Sequence, residues 1–187
     1  MHTTPISLLE RLRKPNADDA WSRFVQLYTP LLMHWARHVG IQGEEATDLV
    51  QEVFALLVVK LPEFTYDRAG SFRAWLRTVA LNKWRQKCRR AALAMVQQED
   101  AIADVAQADP LEAAWDGEYR RQLVGNALRL MQAEFQPSTW KACWENTVGG
   151  KSAAEVAAEL GLTPGAVRAA KFRVLSRLRM ELRGLLD

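Results

Sequence analysis

Long apolar runs are missing from this 187-residue chain. None approaches the roughly 20 consecutive residues a helix needs to cross a bilayer. The opening "MHTTPISLLERLRK" carries acids and bases where a secretory signal needs an apolar stretch. A cytoplasmic protein without membrane insertion is expected. Cysteine is nearly absent: Cys88 and Cys143 form neither a CxxC nor a disulfide framework, in keeping with a reducing compartment. Glycine numbers only ten, with no phosphate-cradling loop among them, and no nucleophile motif occurs. His34 and His38 stand four apart on an expected helix, but without an HExxH or an evident third ligand they read as ordinary structural histidines. No catalytic residue, metal or cofactor is expected, which argues against an enzyme. Alternating strand patterns are also lacking, so the expected fold is all-α.

What is present is ordinary for a folded protein: 49% hydrophobic, 25% charged and seven tryptophans. The length allows one substantial core or two small ones. Net charge is only +3, yet its distribution is uneven. "RAWLRTVALNKWRQKCRR", from Arg73 to Arg90, holds seven Lys/Arg and no acid. Ala91 to Tyr119 has seven acids and no base, and Thr163 to Arg183 has six bases and one acid. Such blocks are usually solvated surface, but basic ones are also the footprint of a nucleic-acid binder.

Asn16 followed by Asp18 and Asp19 reads as an N-cap with acids in the first turn. The helix it opens should run toward Gly40 and be interrupted before Pro30. Gly43 precedes a second helix to about Lys60. "LPEFTYDRAG" reads as a loop, and a third helix follows from Ser71. The small, acidic stretch around "QQEDAIADVAQA" suggests a tether. Two small helical domains are therefore expected, 1–96 and 110–187, joined by an acidic linker at 97–109. After it, Asp109-Pro110 starts a helix to about Phe135, and Trp140, Cys143, Trp144 and Thr147 share a face of a short next one.

"KSAAEVAAELGLTPGAVRAAKFRVLSRLR" carries the most specific signal. Ser152 and Glu155 form a capping box, Gly161 ends the helix, and Thr163-Pro164 supply an N-cap and an N1 proline for another. Two helices joined by a tight Gly-containing turn match a DNA-binding helix-turn-helix. On the second helix Val167, Ala170, Val174, Leu175 and Leu178 make the buried stripe, leaving Arg168, Ala169, Phe172 and Arg173 on the other side. Arg168 suits base edges, whereas Lys171, Arg173 and Arg177 suit phosphates. The competing reading is a helical hairpin with a solvated basic face.

In "EEATDLVQEVFALLVVKL", Ala46, Leu49, Val50, Val53, Phe54, Leu56 and Leu57 line one side of a helix, with Asp48, Gln51 and Glu52 opposite. Val58 and Val59 fall on or beside that polar side, as a protein-docking face or as a patch covered by a neighbouring helix. In the basic stretch Phe72, Trp75, Leu76, Val79 and Ala80 share a face, which makes Trp75 a core residue. Trp84 lies about 120° from that stripe. It either packs on another element or stacks on unpaired bases, as aromatics among Lys/Arg do in single-strand binders.

Taken in order, "DLVQEVF", "GSFRAWLRTVALN" and the C-terminal helix pair resemble bacterial RNA polymerase sigma factors of the extracytoplasmic-function (ECF) type. The resemblance covers about Asp18 to Arg90 and Glu118 to Leu182. It implies a non-catalytic polymerase subunit that recognises promoters, opens DNA and directs initiation. Core polymerase would be gripped through Asp48, Gln51 and Glu52, with Val58 and Val59 beside them. The opened minus-ten strand would meet Arg73, Arg77, Asn82, Lys83, Trp84, Arg85, Lys87, Arg89 and Arg90. The minus-thirty-five duplex would meet Thr163, Arg168, Ala169, Lys171, Phe172, Arg173 and Arg177, and the same domain would touch the polymerase flap. Leu81 departs from the family pattern, which often has Arg just before the Asn, and "FQPSTWKACW" departs from its LP start. Implied partners are core RNA polymerase and promoter DNA, with an anti-sigma factor or other regulator left open. With no further domain after Leu186, a regulator is expected to act in trans or on the two domains themselves. A conventional helix-turn-helix regulator that binds duplex DNA without polymerase is the alternative. It leaves the block from Arg73 to Arg90 without a role. A helical interaction protein that no longer binds DNA is a third reading.

Overall fold

Ser7 opens the first helix. Its hydroxyl accepts from the Glu10 N–H at 3.3 Å, while the Glu10 carboxylate accepts from the Ser7 N–H at 2.9 Å, so two amides left without helical partners are satisfied. The resulting helix, α1 (Leu8–Leu12), turns Leu8, Leu9 and Leu12 inward. The structure, a computed structural model, describes residues 7–14, 16–64, 71–95 and 111–186, and their side chains except those of 91–95 and 111–117. Among the described residues the regular structure is entirely helical.

The expected cap at Asn16 is not used. Asn16 takes φ 57°, a left-handed conformation that asparagine tolerates, and Ala17 occupies the cap position without a side-chain bond. Asp18 and Asp19 still supply negative charge to the first turn of α2 (Asp18–His38). Nor does the helix break before Pro30: α2 runs through it. Proline inside a helix costs roughly 3 kcal/mol. Leu27, Tyr28, Leu31 and Leu32 on either side are each at most 2% exposed. Burying each such side chain stabilises by about 1.5–3 kcal/mol, so tertiary packing outweighs the local penalty.

Helix α3 (Gly43–Lys60) leads into a 3-10 turn (Leu61–Glu63). That turn forms the start of the expected loop, whose remainder at 65–70 lies outside the described residues. In α4 (Phe72–Met95) the first turn is capped by Ser71, whose hydroxyl accepts from the Ala74 N–H at 3.2 Å. The expected linker at 97–109 also lies outside the described residues. Beyond it come α5 (Leu111–Gln132), α6 (Pro137–Thr147), α7 (Ala153–Leu160) and α8 (Pro164–Leu182).

Helix α2 is the spine of the main core. Its Phe24 ring lies 4.4 Å from Tyr28 and 6.0 Å from Phe72 of α4 between ring centroids, and edge-on to Phe54 of α3. The same core takes in Tyr119, Leu123 and Ala127 of α5 together with Leu182 and Leu185. Residues from both sides of the 97–109 segment therefore share one apolar interior. A second, smaller cluster of Ala142, Val156, Ala157, Val167 and Ala170 joins α6, α7 and α8.

Candidate nucleic-acid and protein-docking interfaces

Three surfaces carry the residues singled out from the sequence. On α3, Ala46, Leu49, Val50, Val53 and Leu57 are buried, and Asp48 and Gln51 are exposed on the other side. Glu52 is half-buried, with its carboxylate 3.4 Å from the Lys83 ammonium of α4. Val58 and Val59 are 51% and 63% exposed, so the alternative in which another helix covers them does not hold among the described residues. They lie at the C-terminal end of the helix that presents Asp48 and Gln51.

Helix α4 sorts the nine sequence-derived residues into two sets. Asn82, Arg85, Arg89 and Arg90 are exposed. Arg73, Arg77, Lys83, Trp84 and Lys87 are half-buried. Lys87 donates to the Glu45 carbonyl at 3.0 Å, so this lysine is drawn toward the start of α3. Trp84 packs against the main core, leaving only part of its ring for any other contact. Trp75 packs there too, 4.8 Å from Phe64 and 5.6 Å from Phe72 between ring centroids. Leu81, the departure from the family pattern, is buried. An arginine in its place would bring a charge to the edge of the core.

The α7–α8 pair forms as its local chemistry dictates. The Ser152 and Glu155 bonds are both made, and Gly161 takes φ 65°, a left-handed conformation that glycine enters at no Cβ cost. Hydrogen bonds to Ser152 hold the Glu155 carboxyl below the usual range. Thr163 accepts from the Ala166 N–H at 3.1 Å, so its hydroxyl is engaged in the cap. Arg168, Ala169, Phe172 and Arg173 are exposed together, Phe172 at 69%. Lys171 is half-buried.

Arg177 does not join that face. Nine residues beyond Arg168, it points the opposite way round the helix. It reaches Glu134 through Nε at 2.9 Å and Glu181 through Nη1 at 2.5 Å. Arg23 of α2 completes the cluster, with Nη2 at 2.7 Å from Glu134 and Nε at 2.7 Å from Glu181. Glu181 is only 3% exposed. Burial pushes its carboxyl up, but the bonds from Arg23 and Arg177 outweigh that and hold it below the usual carboxylate range.

Other contacts cross the same interface. Tyr119 donates to the Leu185 carbonyl at 2.8 Å, so its single proton is committed and the 2.9 Å bond between hydroxyls has Tyr28 as donor. Burial raises the pKa of both phenols. The Arg73 guanidinium lies 5.9 Å from the centroid of the Tyr119 ring. Buried Asn126 donates to the Leu27 carbonyl at 3.0 Å. His34 sits 4.0 Å from Glu118 of α5, and its ring centroid is 5.1 Å from that of His38.

Sequence reasoning missed Arg23, Asn126 and Glu134, because their partners lie 43 or more residues away along the chain. A further apolar groove of about 190 Å³ runs between α5, α6 and α8, lined by Leu128, Trp140, Trp144, Val148 and Leu178 among others.

Compared with known proteins, the chain matches the sequence profile of the family Sigma-70 region 2 over residues 24–107. It is 32% identical over 181 residues to the RNA polymerase sigma factor CarQ of Myxococcus xanthus, covering 96% of this chain and 97% of that one. It is 31% identical over 159 residues to the ECF RNA polymerase sigma factor SigF of Caulobacter vibrioides, covering 82% and 79%. With the ECF RNA polymerase sigma factor SigL of Mycobacterium tuberculosis it shares 28% identity over 161 residues, covering 84% and 86%.

Proposed function

The chain belongs to the RNA polymerase sigma factors of the ECF type, and on that footing we propose how its surfaces divide the work of promoter recognition. Core polymerase is its binding partner through α3, where exposed Asp48 and Gln51, half-buried Glu52 and uncovered Val58 and Val59 offer acids beside apolar surface. Interfaces commonly combine an apolar centre with a polar rim, and this face has both. The opened minus-ten strand lies along α4. Arg85, Arg89, Arg90 and Lys87 meet its phosphates, Asn82 bonds to bases, and the accessible part of Trp84 stacks on one. Arg73, Arg77 and Lys83 flank that path.

The α7–α8 pair acts as the helix-turn-helix that reads the minus-thirty-five duplex. Arg168 and Phe172 meet base edges and methyl groups, Ala169 allows close approach, and Thr163, Lys171 and Arg173 contact phosphates, while Arg177, on the opposite side of α8 and paired with Glu134 and Glu181, stays out of that contact. The apolar α5–α6–α8 groove is the surface this half offers to the polymerase flap. The two functional units correspond to 1–96 and 110–187, linked by the acidic 97–109. The chain supplies binding and orientation, and catalysis belongs to the polymerase.

The observation that carries this reading is the uncovered pair of valines beside Asp48 and Gln51, on a fold that also presents two separate basic helix faces. A stand-alone duplex-binding regulator has no use for the first of these. The test mixes the purified chain with core polymerase and a promoter library and sequences the transcripts. Initiation from a shared two-part motif is expected. Failure to associate with core, or to direct initiation from any shared motif, overturns the proposal. Specific duplex binding by the chain alone would favour the regulator.

A further inference from the structure

Helix α5 turns one stripe toward α6, where Gly125, Arg129 and Gln132 follow one another at i, i+4 and i+7. Opposite them stand Trp140, Lys141 and Trp144 of α6, and the two rows border a hollow of about 420 Å³. That volume falls within the range of small-ligand pockets, roughly 300–1,000 Å³. We propose that this hollow binds a nucleobase joined to a phosphate, with the base stacked on the tryptophan pair and the phosphate between Arg129 and Lys141. Such a site goes beyond the division of promoter-binding surfaces and does not depend on it.

Each part of that ligand has a matching group. The indole rings of Trp140 and Trp144 lie nearly parallel, at 19° with centroids 6.2 Å apart. A ring between them needs about 7 Å, two stacking steps of roughly 3.4 Å, so a base stacks on an outer face. Trp144 is 42% exposed and offers the larger open surface. Arg129 and Lys141 are exposed cations, and neither has an acid partner among the described residues. Arg129 donates to the Asn126 side-chain oxygen through one nitrogen, which leaves the rest of its fork of donors for an anion. No acid lines the hollow among the described residues, so its walls do not repel a phosphate. The Gln132 amide carries both a donor and an acceptor, as base edges do.

Gly125 is an independent observation. It stands inside α5, where glycine is less favourable than alanine. Packing does not require it, because a Cβ at this position would meet no atom within 4 Å. What the missing side chain preserves is the open floor of the hollow. An occupant of that space accounts for a helix-weakening residue that no contact within the chain explains. Trp140 and Trp144 also border the apolar groove proposed for the flap, but no cation lines that groove. Charge therefore assigns the phosphate-bearing ligand to the α5 side of the ring pair.

The test uses the full-length chain carrying 5-fluorotryptophan, whose seven indoles report separately by fluorine NMR. Trp144→Phe and Trp84→Phe identify two of the signals. The probes are adenosine 5′-monophosphate, a five-nucleotide single strand of deoxyadenylate, and inorganic phosphate, all at one low salt concentration. A saturable shift of the Trp144 signal is expected with a base-containing probe. If the mononucleotide produces it, the ligand is a free nucleotide; if only the strand does, the ligand is single-stranded nucleic acid. Gly125→Leu fills the floor and should abolish the shift. Lys141→Gln should weaken binding roughly tenfold, the loss of one charge-assisted hydrogen bond.

Circular dichroism verifies folding, and if Gly125→Leu does not fold, Lys141→Gln decides. Absence of a Trp144 shift with both base-containing probes overturns the site. So does an equal shift with phosphate alone, or binding that is unchanged in the folded Gly125→Leu chain or in Lys141→Gln. A shift confined to Trp84 places the strand on α4, which supports that surface and overturns this one. A Trp144 shift in a chain that directs no transcripts with core polymerase leaves this site standing while the sigma-factor surfaces fall.

Discussion

At the residue scale, the buried tyrosine pair gives an asymmetric expectation. Tyr28 donates to Tyr119, and Tyr119 donates to the Leu185 carbonyl. Tyr28→Phe removes one donor and leaves the second bond intact, so it should cost no more than about 1 kcal/mol. Tyr119→Phe strands both the Tyr28 hydroxyl and the Leu185 carbonyl in a buried site, at about 1–3 kcal/mol. Urea denaturation of the two variants measures this, and equal losses would show that the proton order is wrong. On the surface the expectation reverses. Asp48 and Gln51 are exposed, so Asp48→Ala with Gln51→Ala should leave stability within about 0.5 kcal/mol at each site. Core association should nonetheless fall, and normal affinity in a pull-down with core polymerase would remove these residues from that interface.

At the scale of elements, α4 and α7 allow separate tests. Replacing Arg85, Lys87 and Arg89 together should weaken promoter binding and flatten its dependence on salt, by roughly 0.7–0.9 in log–log slope for each phosphate no longer neutralised. Lys87 is already drawn to the Glu45 carbonyl, so the two arginines should carry most of the change. An unchanged slope would take this block out of the phosphate interface. Ser152→Ala removes the cap of α7 and should cost about 1 kcal/mol of stability by thermal unfolding. These expectations rest on features legible in the chain itself, because caps, glycine turns and helical stripes are set by residues within a few positions of one another. The continuity of α2 through Pro30 was not legible in that way. It depends on Tyr28 and Leu31 packing against residues far along the chain. The same limit applied to Arg177, which resembles any other basic residue of α8 until Glu134 is brought beside it from 43 residues away.

For the whole molecule, the shared core predicts that the chain stays together after its backbone is cut. A protease site introduced within 97–109 and cleaved at neutral pH should leave the two fragments co-eluting. Tyr119, Leu123, Ala127 and Leu185 are buried in the same cluster as α2, and the Arg23–Glu134–Arg177–Glu181 group ties its edge. Acid should weaken that association in a definite direction. Glu181 has a folded pKa below its ordinary value, so its contribution is complete above about pH 4.3, the value of a free glutamate. It is then lost as pH falls through the depressed folded value. Protonation leaves the guanidiniums of Arg23 and Arg177 facing a neutral acid. Glu181→Gln should bind the fragments more weakly at neutral pH and show a smaller acid step by size-exclusion chromatography. An equal step in both proteins would show that Glu181 is not the source of the acid sensitivity. Fragments that separate at neutral pH would show that the apolar packing between the halves does not hold them.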